Sequence, residues 1–492
     1  MNRQIGRLGL GLMACFLVLF VQLNRVTVLD AQRLKDHPQN NRSILRDFDA
    51  PRGTVVTADE VVVAISEPTP EGSRFERTRR YPEGDLFAHT VGWFSLNNGA
   101  SGVEDTYNAE LAGRTLDLSF RSLDDLFVDR ERVGDVRLTL RADVQRIARD
   151  QLRDRQGSVV AIDPRTGELL ALWSWPSFDP NVLAGHDFRA ANDAYQLLQS
   201  DGRKPLLAKT YRERFFPGST FKVVTAAAGL EAGAVTEQSP SYPAAREYVP
   251  PQTTRPLRNF GGSTCGGSLF EILQVSCNTA FAQMAVDLGE APMVERAEAF
   301  GFNDVPPVDL PDPARSVFPT DFDQNLPALA QSGIGQNDVS ATPLQMALVA
   351  AAVANEGRVM APTVLAEIRD DEGEVVDDPD PQEWRRAMSG PNADVLRRAM
   401  IGVVERGTAR NLAIPGMEVG GKTGTAQLGT DPPRSHAWII GFAGPPGQPA
   451  SVAVAVLVEG QQGASEQTGG QVAAPIARAV MEAVLTAQGA GG

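Results

Sequence analysis

The run 451–458, SVAVAVLV, limits the possible folds of this chain more than any other stretch. A strand that is apolar at consecutive positions has to be covered on both faces. Four further runs have the composition of strands, two early in the chain and two late: 158–162, 168–172, 417–426 and 437–443. Because the sequence between the early pair and the late strands has mostly helical patterns, we predict one sheet that is assembled from both ends of a domain.

The composition excludes several classes of protein. The 492 residues include 61 acidic and 46 basic side chains, and a net charge of −15 argues against a nucleic-acid-binding protein, which normally presents a basic face. The four histidines do not form a His-Glu-x-x-His motif, which argues against a histidine-rich zinc site, and we predict no metal and no cofactor. Only five of the basic residues are lysines, and a lysine, unlike an arginine, can lose its proton when it is buried.

Residues 8–23, LGLGLMACFLVLFVQL, are almost entirely apolar and follow Arg3 and Arg7. The run is shorter than the roughly 20 residues that comfortably span a bilayer, but Asn24 and Arg25 could extend it by reaching the headgroups. We predict a single uncleaved anchor in the cell membrane, with the rest of the chain outside the cytoplasm. A cleaved signal peptide is the alternative, although no convincing A-x-A site follows the run.

The first candidate catalytic motif lies in 216–222, FPGSTFK. A Pro-Gly pair precedes the run 221–230, which is apolar nearly all round and indicates a buried helix with Ser219 at its amino end. Ser219 and Lys222 are three residues apart and therefore share a face of that helix. A serine hydroxyl is a poor nucleophile until a base takes its proton, and desolvation can lower the pKa of a lysine enough for this task. A serine and a lysine at the surface remain the alternative.

The second motif is Ser276-Cys277-Asn278. A hydroxyl and an amide two residues apart can project into one cleft, where one passes protons and the other holds a substrate amide. Cys277 lies twelve residues after Cys265. Outside the cytoplasm these two cysteines could form a disulfide, and two free buried thiols are the alternative, because spacing alone does not determine the geometry.

The third motif lies in 420–425, GGKTGT, at the start of the strand-rich C-terminal section. A strand edge that offers a lysine, two hydroxyls and a glycine for close approach can dock an extended peptide that ends in a carboxylate. This motif is the most specific of the three, and it makes Lys422, Thr423, Gly424 and Thr425 candidates for binding a peptide.

Ser-x-x-Lys, Ser-x-Asn and Lys-Thr-Gly in this order resemble the signature of penicillin-recognising serine enzymes. The surrounding sequences FFPGSTFKVVTAAAGLEAG, SCNTAFAQMA, GIGQNDVSATPLQMALVAAAVANEG and GGKTGTAQ are similar to the transpeptidase domain of class B penicillin-binding proteins. The shortness of the region before this domain favours the penicillin-binding protein A subgroup.

The resemblance implies an α+β fold. Its transpeptidase domain would contain an antiparallel five-stranded sheet covered by helices, together with a helical subdomain, and a smaller mixed pedestal and one membrane anchor would precede it. The corresponding boundaries are 1–29 for the cytoplasmic tail and anchor, 30–140 for the noncatalytic pedestal, 141–488 for the transpeptidase domain and 489–492 for a tail.

The resemblance also implies the catalytic roles. Ser219 would be the acylated nucleophile and Lys222 its general base. Ser276 would pass a proton to the leaving D-alanine with the help of Lys422.

Substrate binding would fall to the second and third motifs. Asn278 would hold the donor peptide, while Thr423 and Thr425, with Gly424 between them, would receive its terminal carboxylate or that of a β-lactam. The backbone N–H groups of Ser219 and Thr425 would form the oxyanion hole.

The implied function is a peptidoglycan D,D-transpeptidase that cross-links stem peptides through a serine acyl-enzyme and is inhibited covalently by β-lactams. A D,D-carboxypeptidase or a β-lactamase is the nearest alternative, since it differs only in letting water attack the acyl group. A β-lactam receptor and a non-enzymatic cell-wall scaffold are further alternatives, and the intact motifs argue against the scaffold. By resemblance, we expect a membrane glycan polymerase of the cell-wall machinery as partner.

Overall fold

The structure, a computed structural model, describes residues 2–25, 48–115, 132–430, 434–460 and 468–489. The strands are β1 (Val55–Val56), β2 (Val62–Pro68), β3 (Arg77–Arg80), β4 (Phe94–Ser95), β5 (Gly99–Ala100), β6 (Asp135–Leu138), β7 (Gly157–Ile162), β8 (Leu169–Trp175), β9 (Tyr242–Ala245), β10 (Glu247–Tyr248), β11 (Leu257–Arg258), β12 (Cys265–Gly267), β13 (Arg358–Met360), β14 (Leu365–Arg369), β15 (Val375–Asp377), β16 (Glu383–Arg386), β17 (Glu418–Gln427), β18 (Ser435–Gly444) and β19 (Val452–Val458). The helices are α1 (Asn2–Asn24), α2 (Val103–Thr106), α3 (Asn108–Leu111), α4 (Ala142–Leu152), α5 (Asn181–Ala184), α6 (Phe188–Ser200), α7 (Lys209–Arg212), α8 (Lys222–Glu231), α9 (Leu269–Gln274), α10 (Asn278–Leu288), α11 (Glu290–Ala299), α12 (Leu326–Ser332), α13 (Pro343–Ala354), α14 (Gly390–Arg406) and α15 (Gly469–Gly489).

The chain forms two compact units. One is drawn from Met1–Pro51 and Glu67–Thr78, and the other from Arg52–Ser66 and Arg79–Gly492. Within the first unit, the large apolar side chains of α1 from Leu10 to Leu23 are exposed. In the part of the chain that the structure describes, no helix combines the length and the hydropathy that crossing a bilayer requires. The membrane anchor therefore stays a prediction.

The predicted sheet is present in the second unit. It has five strands in the order β17-β18-β19-β7-β8, and all of its pairings are antiparallel. Pairing of β19 with β7 joins the three late strands to the two early ones. Helix α13 contacts β7, β18 and β19, while α15 contacts β18 and β19. Every residue of β19 is buried, which confirms that an apolar run of this kind is covered on both faces.

Ten helices, α5 to α14, and eight short strands, β9 to β16, lie between β8 and β17. In this part, α8 buries every residue except Glu231, as the apolar run predicted. Helix α13 buries all of its residues from Pro343 to Val353, and the side chain of Thr342 caps its amino end by accepting a hydrogen bond from Gln345 N. Helix α8 therefore carries Lys222 of the first motif in a buried setting.

A second sheet has six strands in the order β15-β14-β6-β1-β2-β3. Strand β1 pairs in parallel with β6, and β6 pairs antiparallel with β14, so that Leu138 stands opposite Leu365. Strands β14 and β15 come from the middle of the segment that the sequence assigned to the transpeptidase domain. The sheet of the N-terminal region is therefore completed by residues far along the chain.

A buried carboxylate lies beside this second sheet. Glu104 is completely buried and accepts hydrogen bonds from Arg52 Nε at 2.6 Å, from Arg79 Nε and from the hydroxyl of Tyr81 at 3.2 Å. Burial alone would raise the pKa of Glu104, but the Arg79 and Arg52 guanidinium groups bring it below its ordinary value. The carboxylate is therefore ionised and paired on both of its oxygens.

Candidate active site

Ser219 lies in a 3₁₀ turn, Gly218–Phe221, that leads directly into α8. The N–H group of Gly218 donates to Gly335 O at 3.0 Å, and this bond holds the turn against the rest of the domain. Ser219 itself is partly exposed, whereas its neighbours in the turn are buried. The turn therefore holds a partly accessible serine at the amino end of α8.

Close packing brings this turn against the Lys-Thr-Gly strand. A Cβ atom on Gly424 would lie 2.9 Å from Thr220 Cγ2, 2.9 Å from Trp438 Cβ and 3.0 Å from Pro217 O. Only glycine leaves room for the turn here, and the absence of a side chain at this position is what lets Ser219 and β17 form one wall of a site.

Ser276 occupies the short link between α9 and α10 with a φ of +59°. Positive φ is unfavourable for a residue with a side chain and is retained where the surroundings enforce it. A disulfide between Cys277 and Cys265, with a Cα–Cα distance of 5.8 Å, ties this link to β12. The structure thus selects the disulfide from the two alternatives that the sequence left open. Asn278 begins α10, and its Nδ2 donates to Arg258 O at 2.9 Å.

Lys222 reaches from α8 to this link. Its Nζ donates to Ser276 O at 2.7 Å and to Asn278 Oδ1 at 2.6 Å, and it lies 3.2 Å from Ser276 Oγ. Burial, together with the positive charge of Lys422, lowers the pKa of Lys222 well below its ordinary value. When this amine is neutral it has two N–H donors, and the two oxygens that can only accept use both of them. Its lone pair is then free to take a proton from a hydroxyl.

Lys422 approaches the same serine from β17. Its Nζ donates to Ser276 Oγ at 2.7 Å and to Thr423 O at 2.9 Å. The side chain is fully buried, and this burial lowers its pKa to about 7. The hydroxyl of Ser276 therefore lies between two amines that come from different elements, which is the geometry of a proton relay.

The rest of the third motif continues along β17. Thr423 is 7% exposed, and its Oγ1 lies 2.7 Å from Oγ1 of Thr408, the second residue after the end of α14. Thr425 is partly exposed and stands opposite Ala437 of β18. Thr408 is the residue at this site that sequence reasoning missed. The local pattern carried no signal for it, because its relation to Thr423 arises from folding.

The structure brings the three predicted motifs together. Direct hydrogen bonds link Lys222, Ser276, Asn278 and Lys422, and the backbone of β17 extends this group to Thr423, Gly424 and Thr425. Within the described residues the hydroxyl of Ser219 makes no hydrogen bond. Ser219 is therefore connected to this group through the backbone of its turn. The arrangement brings together a partly exposed serine, an amine with a lowered pKa and a serine hydroxyl shared by two lysines, as nucleophilic acyl transfer requires.

Two family models match this chain. The model described as the penicillin-binding protein transpeptidase domain matches residues 157–482, which contain all three motifs. The model described as the penicillin-binding protein A dimerisation domain matches residues 52–136.

Individual relatives match over nearly the whole length. The chain is 38% identical to peptidoglycan D,D-transpeptidase PbpA of Mycolicibacterium smegmatis over 99% of both chains. It is 37% identical to the protein of the same name from Mycobacterium tuberculosis, again over 99% of both. Among solved structures, a ceftriaxone acyl-enzyme complex of penicillin-binding protein A from M. tuberculosis matches with a TM-score of 0.81 and 36% identity, and it covers 90% of this chain and 100% of that one.

Proposed function

We propose a residue-level mechanism for this chain, which belongs to the penicillin-binding protein transpeptidase family and is a peptidoglycan D,D-transpeptidase that β-lactams inhibit by acylation. In this mechanism Ser219 is the nucleophile. The observation that carries the proposal is the convergence of the two lysine amines on Ser276 Oγ, beside the turn that presents Ser219.

Acylation begins when Ser219 Oγ attacks the carbonyl carbon of the penultimate D-alanine of the donor stem peptide. The hydroxyl proton passes to the lone pair of Lys222 Nζ as the new C–O bond forms. Negative charge develops on the carbonyl oxygen, and the backbone N–H groups of Ser219 and Thr425 stabilise it. Losing one such donor costs about 3–4 kcal/mol of transition-state stabilisation in comparable enzymes.

The tetrahedral intermediate then breaks its C–N bond. The departing D-alanine nitrogen takes a proton from Ser276 Oγ, which regains one from the ammonium that Lys222 has become. Lys422 assists, since its Nζ donates to the same oxygen at 2.7 Å and stabilises it while the proton is in transit. In a β-lactam the broken C–N bond belongs to the ring, so the leaving group stays attached and the acyl-enzyme persists.

Transfer to the second stem peptide reverses these steps. The acceptor amine attacks the ester carbonyl, its proton passes to the neutral base at Lys222, and the Ser219 oxygen leaves as a hydroxyl once that proton is returned to it. An amide bond forms and an ester bond breaks, so no cofactor is needed to balance the reaction.

Binding of the donor peptide is assigned to the remaining motif residues. Asn278 holds the peptide through its side-chain amide, whose Oδ1 retains a second lone pair beyond the bond from Lys222. Thr423 and Thr425 donate to the terminal carboxylate, and Gly424 lets the peptide backbone approach β17 closely.

Covalent labelling tests the choice of nucleophile. We expect Ser219→Ala to abolish the mass increase that one equivalent of penicillin produces in the intact protein, while Ser200→Ala at the exposed end of α6 keeps it. Peptide mapping of the wild-type adduct should place the penicilloyl group on Ser219. An adduct on the Ser219→Ala protein, or a wild-type adduct mapped to another residue, would overturn the assignment.

We further propose that α1 anchors the chain in the cell membrane as a single pass. This proposal is supported by the exposed apolar side chains of α1, such as Leu10 at 69% and Phe16 at 68% exposure. The described part of the chain does not cover them. Because the apolar run 8–23 within α1 is shorter than the roughly 20 residues of a full span, the polar residues that flank it have to reach the headgroups. Removal of residues 1–25 should release the protein from carbonate-washed membranes, and retention of the truncated protein would contradict the proposal.

The chemistry of the substrate supports one partner. Stem peptides become available for cross-linking on newly polymerised glycan strands, so we propose a membrane glycan polymerase beside this enzyme. In-cell crosslinking from the N-terminal region followed by identification of the captured protein tests this proposal, and capture of membrane proteins that exclude any polymerase would contradict it.

A further inference from the structure

Thr408 lies beside the third motif, and the mechanism above gives it no role. Its Oγ1 is 2.7 Å from Thr423 Oγ1, a normal hydrogen-bond distance between two hydroxyls. The two residues differ in exposure, since Thr423 is 7% exposed and Thr408 lies at the surface. The partner of the buried hydroxyl is thus the one that solvent, or a ligand, reaches first.

The hydrogens on the two hydroxyls determine what the pair can donate to a ligand. Each hydroxyl has one hydrogen, and the bond between them uses one of the two. If Thr408 donates to Thr423, the hydrogen of Thr423 remains available, and if Thr423 donates, the hydrogen of Thr408 remains. In both cases the pair keeps one O–H group for a further acceptor, and the bond inside the pair polarises it. Without the Thr408 hydroxyl, Thr423 would lose the partner that orients its hydrogen.

The backbone holds Thr408 in place between two catalytic elements. Its N–H donates to Gln274 O at 3.2 Å, at the last residue of α9, two residues before Ser276. The same residue thus contacts the second motif through its backbone and the third motif through its side chain. A group fixed at both ends can present a hydroxyl with little loss of conformational entropy on binding.

The amino end of α15 lies against the same pair. A Cβ atom on Gly470 would stand 2.5 Å from Thr408 O and 3.4 Å from Thr423 Cγ2, and Asn411 Nδ2 donates to Gly470 O at 2.8 Å. Helix α15 has 21 residues, and the positive end of its dipole is therefore directed toward this region. The electrostatic environment of the two hydroxyls favours an anion.

We infer that Thr408 is a further substrate-binding residue, which forms with Thr423 a single hydroxyl pair that donates to the carboxylate of the stem peptide or of a β-lactam. The inference rests on the proposed function, because it extends the carboxylate subsite assigned to β17. It gives the subsite a member that lies outside the three sequence motifs.

A pair of matched ligands isolates the carboxylate. The second-order rate constant of acylation is measured for benzylpenicillin and for its methyl ester, which lacks the negative charge. Thr408→Val removes the hydroxyl at almost constant shape, Thr408→Ser keeps it, and Thr486→Val at the far end of α15 is the control. We expect Thr408→Val to slow acylation by the acid about 10-fold and by the ester less than about 2-fold, because a hydrogen bond to a charged group is the interaction that is lost. Thr408→Ser and Thr486→Val should keep the wild-type ratio of the two constants.

Thr423→Val separates this inference from the proposed function. If Thr423→Val lowers the acid-to-ester ratio and Thr408→Val leaves it unchanged, the subsite stands and the role of Thr408 is overturned. If Thr408→Val slows both ligands equally, its role is structural and the inference also fails. If neither variant changes the ratio, the assignment of the carboxylate to this strand fails as well.

Discussion

At the scale of single residues, the chemistry depends on how two lysines share one serine. Lys222 and Lys422 both approach Ser276 Oγ, at 3.2 and 2.7 Å. Burial lowers the pKa of Lys422 to about 7, and burial together with the charge of Lys422 lowers the pKa of Lys222 well below its ordinary value. When the two amines share one proton, Lys222 is neutral and can act as a base, while Lys422 is the cation beside Ser276.

The pH dependence of acylation follows from these directions. Lys422 carries its charge below its folded pKa, so acylation by penicillin should fall as the pH rises through about 7. Lys222 is neutral above its own lowered pKa, so the acid limb should lie far below the pH at which an ordinary lysine loses its proton. The two limbs belong to the coupled pair as a whole. Stopped-flow acylation rates across the pH range measure both.

Lys422→Arg provides the matched variant, because a guanidinium keeps its charge throughout this range. We expect the alkaline limb to disappear in this variant, whatever its rate at the optimum. An alkaline limb at the same pH in both proteins would show that another group causes it.

At the scale of elements, two structural features keep the motifs in their relative positions. The missing side chain at Gly424 lets the Ser219 turn lie on β17, and the Cys265–Cys277 disulfide ties the Ser276 link to β12. Both act on backbone position, and the bare backbone at Gly424 also lets the donor peptide approach β17. Their removal should therefore change rates by displacing catalytic groups.

Gly424→Ala should push the turn away from the strand. The new methyl group would meet Pro217 O and two side-chain carbons at 2.9–3.0 Å, so we expect a loss of about 1–3 kcal/mol in the free energy of unfolding and at least about 10-fold slower acylation. Gly202→Ala, where no atom lies within 4 Å of the new methyl group, is the control. Equal acylation rates for the two variants would contradict this account of the site.

Replacing both cysteines with serine should lower stability by opening a short covalent loop. The bridged residues are separated by 12 positions, and closing a loop of this size stabilises a protein by about 3 kcal/mol in the chain-entropy model. Denaturant unfolding measures this loss. Acylation by penicillin should slow at the same time because Ser276, with its positive φ, loses a neighbouring constraint. An unchanged unfolding midpoint would show that the bond contributes nothing to stability.

Sequence patterns predicted the central sheet, the buried helix after Ser219 and a lowered pKa for Lys222, because each depends on local periodicity and burial. They did not predict that Lys422 would be the second cause of that shift, and they missed Thr408. Strands β14 and β15 were also missed as members of the N-terminal sheet. These features depend on contacts between residues far apart in the chain, and a single sequence carries no local record of such contacts.

At the scale of the whole molecule, Glu104 connects parts of the N-terminal region that are distant in sequence. Its two carboxylate oxygens accept from Arg52 and Arg79, both buried, and Arg52 also donates to Asn108 Oδ1 at 2.8 Å. Removing the charge from such a group leaves the guanidinium ions buried without their counter-ion.

Glu104→Gln should therefore lower the free energy of unfolding by about 3–5 kcal/mol, measured by thermal or denaturant unfolding. Glu405→Gln is the matched control, since its partner Arg406 is exposed and an exposed pair contributes less than about 1 kcal/mol. Similar losses for the two variants would show that the buried pairing has no special weight.

Pairing of β6 with β14 also limits which recombinants of related genes can fold. The backbone register from Val136 opposite Ile368 to Leu138 opposite Leu365 joins stretches encoded more than two hundred codons apart. A recombination event between related genes with its crossover inside that interval would combine one parent's β6 with the other's β14. Functional hybrids should therefore be recovered where both strands come from the same parent, or where the two parents have matching residues along the β6–β14 pairing.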